Sequence, residues 1–472
     1  MFHILFLGLL VIIPDSLCTN PGVVARITEK GLNYGLEIGI SVLQEKLQQL
    51  TVPSFSGTEH IPIVGSVEYS FTQIQMTSAS FPSSALSLVP GSAIQVTISG
   101  AQLGLSAEWA VKFLTFFHEK GSADLSVSDL SITANINVDT DKSGVPVLSA
   151  GSCTSQIGSM TVRFHGGHSW LYNLFDLVIE EILRYEINQF VCPLVTESIN
   201  YFNPKISTFN FQTPVNTIAE AEYGLINNPI ISQNYIDVDL KGEIISRTHP
   251  QKNTLVPQAF SLPDNDNSML YLGLSEYLLN TGAQVYYDSG IFQMTVTQDT
   301  WPAGMPFSLN TNTLGILIPQ VAKLYPDLPV QMQIIANKAP TVTMMANSVT
   351  MEIPFTVQVQ GIKPQNTVVP IFTLNVDATF SNNIFIKGSS LYGSLSLNSI
   401  NLSLAQTSVG TFKPNVLQNF MEIALSMDTL PKMNAFLSNG FPLPNIAQVN
   451  FINPQISIMQ GYIMIATDVK YQ

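Results

Sequence analysis

Charged side chains are scarce in this chain of 472 residues. Asp, Glu, Lys and Arg make up 11% of the sequence, whereas a typical soluble domain carries about 25%. Ser, Thr, Asn and Gln fill the polar positions instead. The formal net charge is −14, and this acidic balance argues against nucleic acid as a partner.

Long hydrophobic runs are also missing. Hydrophobic residues make up 46% of the chain and the mean hydropathy is +0.25. After residue 20, however, no run reaches the roughly 18 apolar residues that a membrane-spanning helix needs, so no transmembrane segment is predicted. The chain must therefore bury hydrocarbon in large cores or around apolar ligands. Its length predicts two or three domains.

The N-terminus has the pattern of a signal peptide over residues 1–18. Residues 4–13 are apolar, and Ser16 and Cys18 occupy the small-residue positions before a cleavage site. A signal anchor is the alternative, although ten apolar residues span only about half of a bilayer core. We expect a secreted, extracellular protein whose mature chain starts at Thr19.

Cleavage there leaves two cysteines, Cys153 and Cys192. An even pair in an oxidising compartment favours one disulfide, which would close a loop of about 40 residues. Two buried free thiols are the alternative. Asn401 begins the only Asn-x-Ser/Thr sequon and is the predicted glycosylation site.

Hydrophobic periodicity divides the chain into two similar halves. A helix is predicted over 22–50, short alternating strands over 61–165, and a second helix over 169–201. Residues 246–263 contain three prolines and form the predicted linker. The second half is predicted to contain a helical or strand-like segment at 268–281, a short helix at 313–325, strands over 330–409, and a helix at 413–437 kinked at Pro431.

Apolar residues cover most of the circumference of the first helix, which predicts burial on more than one side. Such helices could line a pocket for an apolar ligand or simply fill a protein core, and periodicity does not decide between the two. The predicted lipid-contacting residues are Ile27, Leu36, Ile38, Val42, Leu174, Val178 and Ile182.

Catalytic and metal-binding motifs are missing. The sequence has no G-x-S-x-G elbow, no P-loop and no G-x-G-x-x-G motif. His165 and His168 have a spacing that could hold a metal ion, but no third ligand is evident, and a solvated loop is the better interpretation. The acid pairs Asp139 with Asp141, and Asp264 with Asp266, are typical of solvated turns. We therefore predict no enzyme activity, no metal site and no cofactor.

Several segments resemble a known family. They are NPGVVARITEKGLNYG (20–35), SMLYLGLSEYLLNTGAQVYYDSGIFQMTV (268–296), GILIPQVAKLYPDLPVQMQI (315–334), NGFPLPN (439–445) and the C-terminal IMIATDVKYQ. In order along the chain, they resemble segments of the family of bactericidal/permeability-increasing protein (BPI), lipopolysaccharide-binding protein (LBP) and cholesteryl ester transfer protein (CETP). Cys153 and Cys192 match the family's single disulfide. NSMLYLGLSEY and GYIMIATDVKY most resemble BPI fold-containing family C.

The resemblance implies an α+β, boomerang-shaped fold with two antiparallel β-barrels, each with long helices, joined by a central β-sheet. It places an N-terminal barrel domain at 19–245, the linker at 246–263 and a C-terminal barrel domain at 264–472. It also implies one phospholipid pocket per half, beside the central sheet. The function implied is non-enzymatic binding of phospholipid or a similar apolar molecule.

Lipopolysaccharide binding in innate immunity is the alternative that the family suggests. It depends on basic residues at the tip of the first barrel, and this chain lacks most of them. Lys112 and Lys120 are present beside Trp109, but non-basic residues occupy the other aligned positions: His60, Pro62, Ser66, Glu108, Ala110 and Phe113. Residues 19–246 contain 10 basic and 21 acidic residues, a net charge of −11, which would repel an anionic membrane.

Overall fold

A computed structural model describes residues 20–48, 51–61, 65–113, 117–166, 176–207, 211–248, 254–301, 304–444 and 449–471. The predicted signal peptide lies outside these residues. The elements of the first half are β1 (Val23–Thr28), α1 (Glu29–Gln48), β2 (Thr51–Val52), β3 (Phe55–Ile61), β4 (Gly65–Ser80), β5 (Ser83–Val89), β6 (Ala93–Phe113), β7 (Phe117–Thr140), β8 (Pro146–Gln156), β9 (Ser159–His165), α2 (Asp176–Ile206), β10 (Gln212–Pro214), β11 (Ala219–Glu222), β12 (Ile230–Ile231), β13 (Tyr235–Leu240) and β14 (Glu243–Ser246).

The second half follows the same order of strand, helix, long strands and helix. Its elements are β15 (Leu270–Ser275), α3 (Glu276–Asp288), β16 (Gln293–Val296), α4 (Thr311–Leu317), α5 (Pro319–Leu324), β17 (Val330–Ala336), β18 (Thr341–Met345), β19 (Ser348–Lys363), β20 (Thr367–Lys387), β21 (Ser390–Thr407), α6 (Gln418–Ala424), α7 (Leu430–Leu437), β22 (Phe441–Pro442), β23 (Val449–Met459) and β24 (Tyr462–Tyr471). This mixture of helices and antiparallel sheets confirms the predicted α+β class.

The strands of the first barrel are long. The prediction of short strands over 61–165 was wrong, because β7 alone runs for 24 residues. Inside these strands, Gln73, Gly100 and Asp129 adopt left-handed φ values of 50°, 67° and 53°. Each lies at a shift in strand register, so it forms a β-bulge that bends the strand without ending it. The sheet order is β2-β4-β6-β7-β8, with β3 paired to β4, β5 to β6 and β9 to β7.

Aromatic and aliphatic side chains fill this barrel. Trp109 is 2% exposed and packs edge-on against Phe164 at 5.5 Å between ring centroids. Leu183, Ile187 and Val191 of α2 are buried in the same cluster, so α2 closes the barrel. The second barrel has the order β16-β17-β19-β20-β21-β22, with β18 on β19, and its core is also filled by buried side chains.

A six-stranded sheet joins the halves in the order β12-β13-β1-β15-β24-β23. The predicted helix over 22–50 was therefore wrong at its start, because Val23–Thr28 forms strand β1 and the helix begins at Glu29. Four of these six residues are β-branched, which favours a strand. β1 pairs with β13 of the first half and with β15 of the second, so it lies in the middle of the sheet.

The connecting segment 254–267 has no regular secondary structure. The buried guanidinium of Arg26 on β1 binds this segment. Its Nη1 donates to the carbonyl oxygens of Leu262 at 3.2 Å and Pro263 at 3.0 Å. Asn20 Nδ2 donates to the carbonyl of Pro257 at 3.0 Å. This connector thus packs against the central sheet.

Two other predicted elements differ in detail. The segment 268–281 contains both predicted forms, since strand β15 leads directly into α3. The last helix is interrupted as predicted, but a π-helical turn at Leu425–Thr429 precedes Pro431, which lies in the first turn of α7.

Candidate functional site

α1 has apolar side chains around most of its circumference, yet none of its described side chains is fully buried. Ile40 and Leu43 contact the core of the first barrel from one face. Leu36 lies one turn before Ile40 on that face and is half-buried. The barrel therefore covers only one stripe of an apolar helix.

A second flank of α1 contains Gly35, Ile38, Gly39 and Val42, which are neighbours at helical spacing. Ile38 and Val42 are half-buried, and neither is part of the described core clusters. A Cβ atom built on Gly35 or Gly39 would meet no described heavy atom within 4 Å. We call these four residues the open flank of α1, because none of them belongs to a core cluster of the described residues.

The start of α1 is held close to the central sheet. A Cβ atom on Gly31 would lie 2.4 Å from the carbonyl oxygen of Met269 and 3.3 Å from Cγ2 of Ile27. Only glycine permits this approach. Ile27 was predicted on the helix, but it lies on β1, where it pairs with Ile236 and Leu270 at the corner between sheet and helix.

α2 is tied to the barrel more firmly than α1. The Cys153–Cys192 disulfide is present, with an S–S distance of 2.11 Å, and links β8 to α2. One turn before the disulfide, Ser155 Oγ donates to Asn188 Oδ1 at 2.8 Å. Further along, Asn203 exchanges two 2.8 Å hydrogen bonds with the backbone of Leu148. These ties fix α2 against β8 of the first barrel.

Five of the predicted lipid-contacting residues have described side chains, and all five are half-buried: Ile27, Leu36, Ile38, Val42 and Ile182. The structure brings Ile38 and Val42 together on the open flank and places Leu36 on the barrel face. Ile182 lies on α2 beside the buried Leu183. Leu174 and the side chain of Val178 lie outside the described residues. Ligand contact at all seven positions stays a prediction.

The second half contains a cleft of about 420 Å³ between β23 of the central sheet and the β18–β20 part of the second barrel. It is lined by Asn347, Ser348, Val349, Ser381, Asn382, Asn383, Ile384, Ile456, Ser457 and Ile458. Ile384, Ile456 and Ile458 also contact the apolar cluster between barrel and central sheet. Sequence reasoning selected no residue here, although alternation of apolar and polar residues in β20 and β23 was a usable signal.

The tip of the first barrel carries little net positive charge. Lys112 Nζ lies 3.4 Å from the carboxylate of Glu68 on the neighbouring strand, so its charge is paired. Trp109 is no surface residue, since its Nε1 donates to the carbonyl of Ser122 at 2.9 Å inside the barrel. The arrangement therefore offers an anionic surface little attraction.

The polar candidates from the sequence lie in exposed turns and strand ends. His165 Nε2 lies 2.9 Å from Asp124 Oδ2, and both side chains are exposed; His168 lies outside the described residues. Asp141 accepts hydrogen bonds from the hydroxyl and backbone of Ser143 and from the backbone of Val145, and these lower its pKa. The described residues contain no cluster of three potential metal ligands and no helix long and apolar enough to cross a membrane.

Comparison with known proteins agrees with this architecture. The N-terminal domain model of the LBP/BPI/CETP family matches residues 31–202, and the C-terminal domain model matches residues 213–471. A crystal structure of lipopolysaccharide binding protein superposes with a TM-score of 0.65 and 28% identity, covering 96% of this chain and 99% of that chain.

Curated relatives match along nearly the whole length. A bactericidal permeability-increasing protein of Sebastes schlegelii is 37% identical, with 99% of this chain and 98% of the relative covered. Human lipopolysaccharide-binding protein is 30% identical over 99% of this chain and 97% of its own. Mouse BPI fold-containing family C protein is 31% identical over 97% of this chain and 91% of its own.

These matches confirm the resemblance predicted from the sequence. The family consists of lipid-binding and lipid-transfer proteins, which are not enzymes. Both domain models match in order along a chain with two curled barrels and a shared central sheet, and the chain therefore belongs to the LBP/BPI/CETP family.

Proposed function

We propose that this protein is a secreted carrier that holds phospholipid or a similar apolar molecule in two pockets, one in each half, beside the central sheet. The open flank of α1 is the observation that carries the proposal. The uncovered part of half-buried apolar side chains, such as Ile38 and Val42, gains free energy when hydrocarbon covers it. In the second half, the cleft beside β23 lies between barrel and central sheet, but its exposed lining is mainly polar, so the second pocket rests on the family resemblance alone.

The free energy of burying hydrocarbon is large enough to hold a lipid, and no catalytic residue is needed for this function. A two-chain lipid that hides several hundred square ångströms of hydrocarbon gains on the order of 10 kcal/mol at about 25 cal/mol per Å², before entropic costs. We infer that Ile27, Leu36, Ile38 and Val42 form the wall on the α1 side, and that Leu174, Val178 and Ile182 form the α2 side.

Secretion is part of the proposal. The disulfide between Cys153 and Cys192 supports an oxidising compartment, as does the predicted signal peptide. Asn401 lies on β21 with an exposed side chain, in a position that a glycan can reach.

The test is native mass spectrometry of gently purified protein, followed by extraction and identification of its lipids. We expect a bound apolar molecule. Ile38→Asn should lower lipid content severalfold, because it puts an amide against hydrocarbon. Val256→Asn, at an exposed valine of the connector, is the matched control and should change nothing.

A space-filling variant separates lipid loss from misfolding. Gly39→Leu puts a side chain into the open flank and improves helix propensity, so the protein should fold and exclude lipid. Lipid content unchanged in both Gly39→Leu and Ile38→Asn would contradict a pocket at α1.

Lipopolysaccharide recognition is the alternative, favoured by the name of the human relative, lipopolysaccharide-binding protein. The paired Lys112 and the charge of −11 over residues 19–246 argue against it. Endotoxin binding measured at two salt concentrations decides between lipopolysaccharide recognition and the carrier function. Micromolar or tighter binding that weakens with salt would favour lipopolysaccharide recognition.

A further inference from the structure

The second barrel carries a pair of short helices at the end that lies far from the central sheet. Strands β19 and β20 run from the cluster beside that sheet, which includes Val349 and Ile384, to the turn at 364–366. At about 3.3 Å per residue, the 16 residues of β19 span about 50 Å. Helices α4 and α5 lie at the far end, because Ile362 N on β19 donates to the carbonyl of Pro329, which follows α5. We call this part of the molecule the distal end of the second barrel.

The two helices are held as a fixed pair. They touch so closely that a Cβ atom on Gly315 of α4 would overlap the Cβ atom of Ala322 on α5. At the start of α4, Thr311 N donates to the carbonyl of Leu328 at 3.0 Å, and Leu328 N donates to Thr311 Oγ1 at 2.9 Å. The inward side of the pair is buried in the barrel core through Leu314, Ile318 and Val321. The outward side therefore has a defined surface.

This outward surface is apolar, where a surface helix is usually polar. Ile316 is 80% exposed, Leu324 55% and Leu317 37%, and Lys323 is the only charged residue of the two helices. The exposed fractions correspond to about 300 Å² of apolar surface, a size that is typical of interaction sites on monomers. A stable protein interface needs roughly 800 Å² per partner, so this patch is too small for one. A lipid layer, which can surround a protruding helix pair, fits it better.

The distal end is also basic, although the protein is acidic. The segments 297–330, 360–371 and 408–418 form it, and their charged residues are Lys323, Lys363, Lys413, Asp299 and Asp327. Their net charge is +1, whereas the whole chain carries −14. The three lysines are exposed, and none of them forms an ion pair within the described residues. Anionic lipid headgroups are therefore attracted to the distal end and repelled by the first half.

We propose that the distal end of the second barrel docks on membranes that contain anionic phospholipid. Ile316, Leu317 and Leu324 enter the layer below the headgroups, and the lysines lie among the headgroup phosphates. A small apolar patch combined with a few lysines gives reversible binding, which a carrier needs in order to leave the membrane with its lipid. The proposal rests on the lipid-carrier function proposed above.

Vesicle flotation of the full-length protein tests the docking. We expect tighter binding to phosphatidylcholine vesicles that contain phosphatidylserine than to phosphatidylcholine alone, and weaker binding as the salt concentration rises. Ile316→Gln with Leu324→Gln should lower the partition coefficient on the anionic vesicles roughly tenfold or more, because glutamine keeps the helix propensity but removes hydrocarbon. Lys323→Gln with Lys363→Gln should lower it roughly tenfold, and only on the anionic vesicles.

Val256→Gln with Met345→Gln is the matched control, because these residues are 72% and 53% exposed but lie in the connector and at the end of β18, away from the distal end. This variant should bind vesicles as the wild type does. A wild-type protein that binds no vesicles would overturn the docking, and so would equal binding by the Ile316→Gln, Leu324→Gln variant.

Two further measurements complete the test. If the wild type forms a dimer in analytical ultracentrifugation and the Ile316→Gln, Leu324→Gln variant does not, the patch joins two copies of the chain and the docking proposal is wrong. All variants should keep their copurified lipid in native mass spectrometry, because α1 lies in the other half of the molecule. A wild-type protein without copurified lipid would instead overturn the carrier function, whatever its binding to vesicles.

Discussion

Replacing Arg26 should destabilise the junction of the two halves more than any exposed charge does. Its side chain is 4% exposed. Nε and Nη2 each donate to a carboxylate oxygen of Asp237 at 2.7 Å, and Nη1 donates to the two connector carbonyls. The guanidinium carbon also lies 3.6 Å from the ring centroid of Tyr235. Arg26→Met leaves Asp237, which is only 15% exposed, without its cation.

Breaking a buried ion pair by removing one partner costs about 3–5 kcal/mol, so Arg26→Met should lose that much stability in urea denaturation. The connector should also become more sensitive to protease. Arg26→Met with Asp237→Leu should recover part of the loss, since an apolar pair replaces a buried ionic one at little cost. Lys30→Met breaks the exposed 2.8 Å pair with Asp468 and should cost less than about 1 kcal/mol. A loss of less than 1 kcal/mol in Arg26→Met would refute this reasoning.

Three further outcomes follow. Replacing Cys153 and Cys192 by serine should cost about 3–4 kcal/mol in urea denaturation, because the unfolded chain loses its closed loop; no loss would contradict this. Burial, and to a lesser degree the charge of Asp237, raises the pKa of Asp239. The ionised carboxylate of Asp239 therefore lowers the free energy of unfolding at neutral pH. The free energy of unfolding increases again as the pH falls through the raised pKa. Asp239→Asn should therefore raise the melting temperature at pH 7 more than at pH 4. An equal increase at both pH values would contradict the raised pKa of Asp239. Gly31→Ala should destabilise α1 by clashing with a carbonyl, whereas Gly35→Ala, in open space, should stabilise by about 0.5–1 kcal/mol in the same assay.

The class of fold and the order of elements could be predicted because hydrophobic periodicity can be read from one sequence. It failed where local and tertiary preferences compete. Residues 23–28 continue the apolar pattern of α1, but pairing with strands on both sides makes them β1. The bulges at Gln73, Gly100 and Asp129 bend long strands without ending them, whereas the sequence pattern showed only short alternating runs.

The candidate site was predicted only in part. Apolar positions on α1 were identified from their spacing, but the sequence could not show which flank the barrel leaves uncovered. That depends on how the helix packs on strands that are distant from it in sequence. The cleft of the second half was missed because strands distant in sequence, β20 and β23, form it together. The domain boundaries at 245 and 264 stay a prediction.

A crystal structure of protein purified without detergent or organic solvent tests the central claim most directly. The account predicts elongated density from a bound hydrocarbon chain along Gly35, Ile38, Gly39 and Val42. If the barrel and α2 instead close over this flank with their own side chains and leave no channel, the protein is not the lipid carrier described here.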